Sequence, residues 1–332
     1  MNEPGHVLAV IRAGEVQRVD AAGVANAETG EPLTAGSIFY VGSLAKQFVA
    51  ACVALLERDG ALRADDPVGG FLPELPAWGG RVTLAHLLHH TSGLPPPPYF
   101  LDGLSVAGVP AYGSADRLAR VMEIETLERE PGTSYAYTNH GYTLLSEVVG
   151  RASGTSLAAF AQERMFAPLG MRHTRFRDAP RELPAAAARG HFEATDGAIH
   201  VEPARFHAVG AGGLWTTVAD LASWDAAFYD DRSVASRLTT RGVLADGTPI
   251  HYAWGLSVRT HRGRPIHSHG GSFPGWASKM VRFPEQRTTI VVLANHERLD
   301  VSALAFATAD EVLAGSLDPD ASHADATFDG AA

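Results

Sequence analysis

Lysine is almost missing from this sequence of 332 residues: 25 of its 27 cationic side chains are arginine, and the two lysines are Lys46 and Lys279. Acidic residues number 37 and the net charge is −10, with no basic run to offset it, so nucleic acid is excluded as an expected partner. Cysteine is reduced to Cys52, which rules out an internal disulfide and any zinc or iron-sulfur site built from cysteines alone. Within AACVALL it reads as a small core residue. Long apolar runs are also missing. No stretch approaches the ~18 uncharged apolar residues of a membrane span, and Val7 to Ile11 is too short for a signal-peptide core. No membrane contact and a cytoplasmic location are therefore the expectation. What the chain does have is a 45% hydrophobic fraction and 19% charge, the balance of a globular protein with a sizeable core, and 34 Gly with 20 Pro, which predicts many turns.

Patterning divides the chain into ends and middle. Residues 6 to 12 (HVLAVIR) and 15 to 25 read as a hairpin across Ala13-Gly14, and the first strand is apolar on both faces, hence central. A short strand is predicted over 37 to 42. From Ser43 to Asp59 the apolar residues recur at helical spacing and Gly60 stops the run, which predicts a buried helix. Residues 61 to 229 read as helical: 82 to 90, a helix capped by Ser114, 141 to 154 ending on Gly154, 156 to 166, and one after Thr217 with Asp220 completing a capping box. Strands return at 252 to 261, 264 to 269, 276 to 283 and 287 to 295, before an amphipathic helix over 301 to 315. The predicted fold class is α+β: a mixed antiparallel sheet domain from residues 1–60 plus 230–315, flanked by helices, with an inserted all-helical domain at 61–229 and a flexible tail at 316–332.

The scarcity of lysine gives one motif its weight. With 19 serines and two lysines, a Ser three places before a Lys is expected roughly 0.1 times by chance. It occurs as Ser43-Leu44-Ala45-Lys46, at the start of the buried helix. Positions i and i+3 share a face, burial lowers an amine's pKa, and the first turn's free N–H groups favour negative charge beside Ser43. That combination suits an activated nucleophile. Tyr137-Thr138-Asn139 is a comparably rare pair, in a turn-rich loop ahead of a helix. A phenol becomes a usable base beside a cation, which Lys46 supplies, and Asn139 offers donor and acceptor to a substrate amide or ester. Third is His269-Gly270-Gly271-Ser272 at the end of a predicted strand, where glycines let a substrate approach backbone N–H groups that can face a developing oxyanion.

In this order, the three motifs resemble those of the serine β-lactamase and penicillin-binding protein superfamily, and within it class C β-lactamases and family VIII esterases. LLHHTSGL, PGTSYAYTNHGYTLL, MFAPLGM, GGLWTTVADLASW and HGGSFPGWASKMVRFP look like family landmarks in family order, over residues 5 to 315. The resemblance implies Ser43 as acyl-forming nucleophile, Lys46 and Tyr137 as its proton-transfer partners, Asn139 as substrate contact, and the N–H groups of Ser43 and Ser272 as oxyanion hole. His269, Gly270 and Gly271 stand where the family has KTG, so a fixed cation becomes an imidazole that is mostly neutral near neutral pH. That disfavours efficient β-lactam processing and favours esters or small amides. No SDN motif is present, and with few residues ahead of the first strand the family's usual N-terminal helix is expected to be absent or truncated.

The expectation is a serine hydrolase, carboxylesterase in type, needing no metal or organic cofactor and acting on a small ester or amide. In its proton transfer Tyr137, kept partly deprotonated by Lys46, takes the Ser43 proton. β-Lactamase or D-amino-acid peptidase, acyl transfer from the same acyl-enzyme, and a catalytically silent binding homologue stand as alternatives. An α/β-hydrolase is excluded by the lack of GxSxG. A metal site is the chemical rival, because His86, His89 and His90 lie at helical spacing. Without HExxH they read as structural or surface histidines. The long stretch 94 to 112 reads as a lid or binding wall, with Tyr99, Phe100 and Tyr112, and with them Trp215, Phe273 and Trp276, as acyl-pocket candidates.

Overall fold

A computed structural model describes residues 2–96, 113–179, 183–193, 199–201, 206–230 and 233–321. The two chain ends build one six-stranded antiparallel sheet, in the order Ser257–His261, Arg264–Phe273, Trp276–Phe283, Thr288–Ala294, His6–Arg12, Glu15–Ala22. The first strand closes on the last, with His6 opposite Ala294 and Arg12 opposite Thr288. His6–Arg12 is apolar on both faces because both are covered. Val7, Ala9 and Ile11 point into the main core, while Leu8 and Val10 join Val281, Ile290 and Val292 under the helix Val301–Val312. Its neighbour Glu15–Ala22 is an edge strand and largely exposed.

The helix Lys46–Arg58 lies on the opposite face from Val301–Val312. Every residue from Lys46 to Leu56 is buried, because the helix packs between the sheet domain and the helices Asn139–Ser153 and Leu157–Ala161. Ala50, Ala51 and Cys52 allow the close approach that an all-round apolar helix needs. The predicted helix over 43 to 59 opens with a tight 3₁₀ segment, Gly42–Ala45, and becomes α-helical from Lys46. Its neighbour Asn139–Ser153 stops at Gly154, whose φ of 73° is the left-handed ending that glycine permits.

Four expectations change. The middle segment is not all-helical: it contributes the strands Arg175–Phe176, His191–Glu193, Ile199–Val201 and Leu214–Thr216, and a small sheet runs Phe39–Tyr40, Leu214–Thr216, Arg175–Phe176. Strands of two or three residues are too short to carry a period. The strand predicted over 252 to 261 begins only at Ser257. Ahead of it Gly255 turns at φ 75° against the buried helix, where a Cβ would stand 2.6 Å from the N and Cα of Gln47. The capping box before helix Val218–Ala226 is half formed. Thr217 Oγ1 accepts the Asp220 N–H at 3.2 Å, but the Asp220 carboxylate takes the His173 N–H and the Thr174 hydroxyl instead. Residues 316 to 321 of the expected tail fold back on the turn at 262 to 264, through Arg264 Nε to Ser316 O and Asp318 N to Arg262 O. Among the described residues no helix is long and apolar enough to cross a membrane.

A buried ion pair locks the helix Val218–Ala226 to the sheet. Arg282 Nε donates to Asp225 Oδ1 at 2.7 Å, Thr289 Oγ1 donates to the same oxygen at 2.6 Å, and the Gly14 N–H reaches Oδ2. The Arg282 guanidinium lies 3.4 Å from the centroid of Phe228. Asp225→Ala would strand a buried guanidinium and is expected to cost about 3–5 kcal/mol in urea unfolding. The Asp225→Leu/Arg282→Met pair should recover most of that loss. A single-variant cost below about 1 kcal/mol would show that the pair does not hold the frame.

Candidate active site

Ser43 sits at the mouth of the 3₁₀ turn, and two glycines let that turn lie against the sheet. Gly42 has φ 51°, and a Cβ there would stand 2.9 Å from Ser272 N. A Cβ on Gly271 would run into Val41 O and come within 2.6 Å of Ser278 Oγ, whose hydroxyl already donates to Val41 O at 2.9 Å. The turn that carries Ser43 and the strand Arg264–Phe273 therefore meet backbone to backbone. This brings the Ser272 amide close to the residue preceding Ser43.

Lys46 is fully buried, and its Nζ has three partners: Ser43 Oγ at 2.9 Å, Asn139 Oδ1 at 2.8 Å and Ala211 O at 3.1 Å. Burial, and behind it the Arg117 guanidinium, hold this amine well below the usual lysine value. Two of the three partners can only accept. A neutral amine spends its two protons on Asn139 and Ala211, and its lone pair then faces the Ser43 hydroxyl. Tyr137 joins the group through its ring, whose centroid lies 4.8 Å from Nζ. Four of the predicted residues, Ser43, Lys46, Tyr137 and Asn139, are thus assembled around one ammonium position.

His269 is placed differently from a surface substrate contact. It is fully buried, its Nδ1 lies 2.6 Å from Gly270 O, and its Nε2 lies 2.9 Å from Tyr252 Oη. A carbonyl only accepts, so Nδ1 carries a proton, and Nε2 shares a hydrogen bond with the phenol. The ring sits beside Tyr137 at 6.3 Å between centroids, an imidazole where the family has a fixed cation. Gly270 is buried beside it and Ser272 is exposed.

The other histidines also have structural partners. His86 caps its own helix by accepting the Thr83 N–H, His89 Nε2 accepts from Trp254 Nε1, and His90 stacks on Tyr137. No cluster of His, Cys, Asp or Glu able to hold a metal occurs among the described residues. Trp215 and Trp276 are buried against each other at 5.3 Å and belong to the core. Half-buried Phe273 packs on Tyr40 and Phe206, while Tyr99, Phe100 and Tyr112 lie outside the described residues.

Three participants had no signal in the motifs. The Ala211 carbonyl is backbone in a glycine-rich loop. Arg117, 5.0 Å from the Phe206 ring, looks in sequence like the exposed face of an amphipathic helix. His90 stood out only as one of three histidines.

Residues 1–313 match the protein family described as Beta-lactamase. A D-aminopeptidase from Gluconobacter oxydans is 32% identical over 327 residues, which cover 95% of this chain and 59% of that protein. The chain thus spans about three fifths of that relative's length. The octameric penicillin-binding protein homologue from Pyrococcus abyssi superposes with a TM-score of 0.85 at 27% identity, covering 96% of this chain and 75% of that one. The D-amino acid amidase from Ochrobactrum anthropi shares the fold, with a TM-score of 0.77 at 22% identity, over 94% of this chain and 93% of that one.

Two predictions follow from the geometry. Gly271→Ala must push the nucleophile's turn off the strand, and a displacement near 1 Å is expected to slow acylation by about 100-fold. A variant that acylates within about 3-fold of the parent in stopped flow would show that the close approach is dispensable. The second concerns acid. Burial first of all lowers His89, His140 and His267 to about 4, whereas unfolded imidazoles titrate near ~6.5. Between those values the unfolded chain binds protons that the folded chain refuses. Stability is therefore full above about pH 6.5 and falls as pH drops toward 4. Urea midpoints should decline through that window, and a flat profile would remove these histidines as the cause.

Proposed function

The chain belongs to the Beta-lactamase family, and on that premise we propose that it is a serine hydrolase that acylates Ser43 with D-amino-acid amides or short D-peptides and releases the acyl group to water. The single observation that carries the chemistry is the 2.9 Å contact of the buried Lys46 amine with the Ser43 hydroxyl. The sequence reading ranked carboxylesterase chemistry first. The D-aminopeptidase relatives from Gluconobacter oxydans and Cereibacter sphaeroides favour the peptidase alternative, and the imidazole of His269, standing in place of a fixed cation, disfavours substrates that need one on the strand. Reactive esters acylate the same serine and remain useful probes.

The sequence alone made Tyr137 the base. With Lys46 in direct contact, the neutral amine takes the Ser43 proton as Oγ attacks the carbonyl carbon. The Ser43 and Ser272 N–H groups face the oxyanion. Tyr137 gives its proton to the departing amine and is reprotonated from the Lys46 ammonium, so the serine proton ends on the leaving group. Water reverses the sequence: it loses a proton to the Tyr137–Lys46 pair as it attacks the ester, and Ser43 recovers its own. Asn139, whose Oδ1 is taken by Lys46, offers its Nδ2 donors to the substrate's acyl side.

D- and L-alanine p-nitroanilides, p-nitrophenyl acetate and nitrocefin, compared by burst kinetics, test this reading. D-Alanine p-nitroanilide should be cleaved faster than its L isomer, and Ser43→Ala should abolish every burst. Preference for the L isomer or for nitrocefin would overturn the substrate class. Lys46→Ala and Tyr137→Phe are each expected to lower amide turnover by about 10²–10⁴-fold while melting within a few degrees of the parent. Because only the neutral amine accepts the proton, kcat/KM should rise with pH along a limb well below the usual lysine value. A limb at the solvated lysine value would exclude Lys46 as that base.

A further inference from the structure

We propose that His90 is the positioning residue for Tyr137, an uncharged plate and acceptor that fixes the phenol against Lys46 from three sides. The proposal rests on reading Tyr137 as the proton-transfer partner of Ser43. The N–H groups of both residues next to Tyr137 end on His90. The Ala136 N–H donates to His90 O at 2.8 Å, and the Thr138 N–H donates to His90 Nδ1 at 3.3 Å. Between these two bonds the imidazole stacks on the Tyr137 ring, with centroids 4.3 Å apart and planes inclined by 38°. Tyr142 and Tyr252 flank the imidazole as well, with centroids at 5.2 and 4.6 Å.

The ring's protonation state follows from these contacts. Nδ1 accepts an amide proton, so in the neutral ring the hydrogen is on Nε2, which is buried and has no hydrogen-bond partner among the described residues. An imidazolium would lose the Thr138 bond and set a positive charge beside the amine that becomes an ammonium during acylation. Burial, then the charge of Lys46, accordingly push this histidine well below its ordinary value. His90 thus has no role as a proton carrier. It also adopts φ 56°, a left-handed conformation costly for a residue with a side chain, at 1% exposure. A residue needed only to fill space would not require that backbone. The left-handed turn is what sends the His90 carbonyl to Ala136 and the His90 ring under Tyr137 at once.

The test is a double-mutant cycle on single-turnover acylation by D-alanine p-nitroanilide, with p-nitrophenyl acetate as a second acyl donor. His90→Gly suits the φ and removes plate and acceptor. His90→Asn suits it nearly as well and keeps an acceptor close to the place of Nδ1. His90→Gly is expected to acylate about 30- to 100-fold more slowly, and His90→Asn about 10-fold. In a Tyr137→Phe background either substitution should cost less than about 2-fold more, since no phenol is left to position. Equal losses in both backgrounds would show a merely structural role and overturn the proposal, as would a folded His90→Gly at the parent rate. Should His90→Gly not fold, the same cycle with His90→Asn decides. If Tyr137→Phe itself acylates like the parent, the reading of Tyr137 fails. If it is slow and the His90 variants are not, only the role of His90 falls.

Discussion

The arrangement depends on an amine buried without a carboxylate among its three hydrogen-bonded partners. Lys46 is fully inaccessible, and those partners are a hydroxyl, an amide oxygen and a main-chain carbonyl. An ammonium in such a place loses its hydration and gains only dipoles in return, which is why burial dominates its lowered proton affinity. Each partner comes from a different part of the chain: Ser43 one helical turn away, Asn139 from the helix beyond the tyrosine loop, and Ala211 from the loop ahead of Leu214–Thr216. The amine therefore works as a geometric lock, because no one of these segments can shift without leaving a buried donor unmet. The same feature makes it chemically useful, since the partner able to return a proton is the hydroxyl of Ser43.

Close backbone approach does the complementary work on the sheet side. Gly42 and Gly271 let two main chains touch where any side chain would hold them apart, and Ser278 ties the contact through Val41 O. What both glycines contribute here is the lack of a side chain. They set the separation of two amide groups, and that separation decides whether an oxyanion can be met by both. The inward-facing His269 fits this picture, as it is tied to Tyr252 and its own neighbour and shapes the wall beside Tyr137.

Much of this could be read from the sequence, for identifiable reasons. A chain with two lysines makes Ser43-x-x-Lys46 stand out, and the doubly apolar strand at 6 to 12 declared its central place in the sheet. Patterns of that kind are local or statistical. The features that escaped are relational. The ordering role of His90 needs the loop at 136 to 138 folded over it, which no spacing within LLHHTSGL encodes. Ala211 contributes a carbonyl, which every residue has. His269 could be counted as an imidazole in place of a cation, but its inward orientation is set by Tyr252, 17 residues away. The short strands of the middle segment failed for a different reason, as three residues cannot express a period.

Anchors placed away from the site explain how it can be held in costly conformations. Positive φ occurs at Gly42, one residue before Ser43, and at His90, which grips Tyr137. Glycine carries the first without penalty, whereas His90 must be forced into the second. The force has to come from elements that do not move when the site does. The lock between Asp225 and Arg282 pins helix Val218–Ala226 to the sheet away from the nucleophile, and Asn295 binds Gly5, Val24, Ala25 and Arg189 where the two chain ends meet. These anchors involve none of the groups around Ser43. A frame fixed in this way allows His90 to stay in its left-handed turn. A rigid His90 is in turn what allows Tyr137, a half-buried side chain on a loop, to present its phenol as steadily as a residue within a helix would.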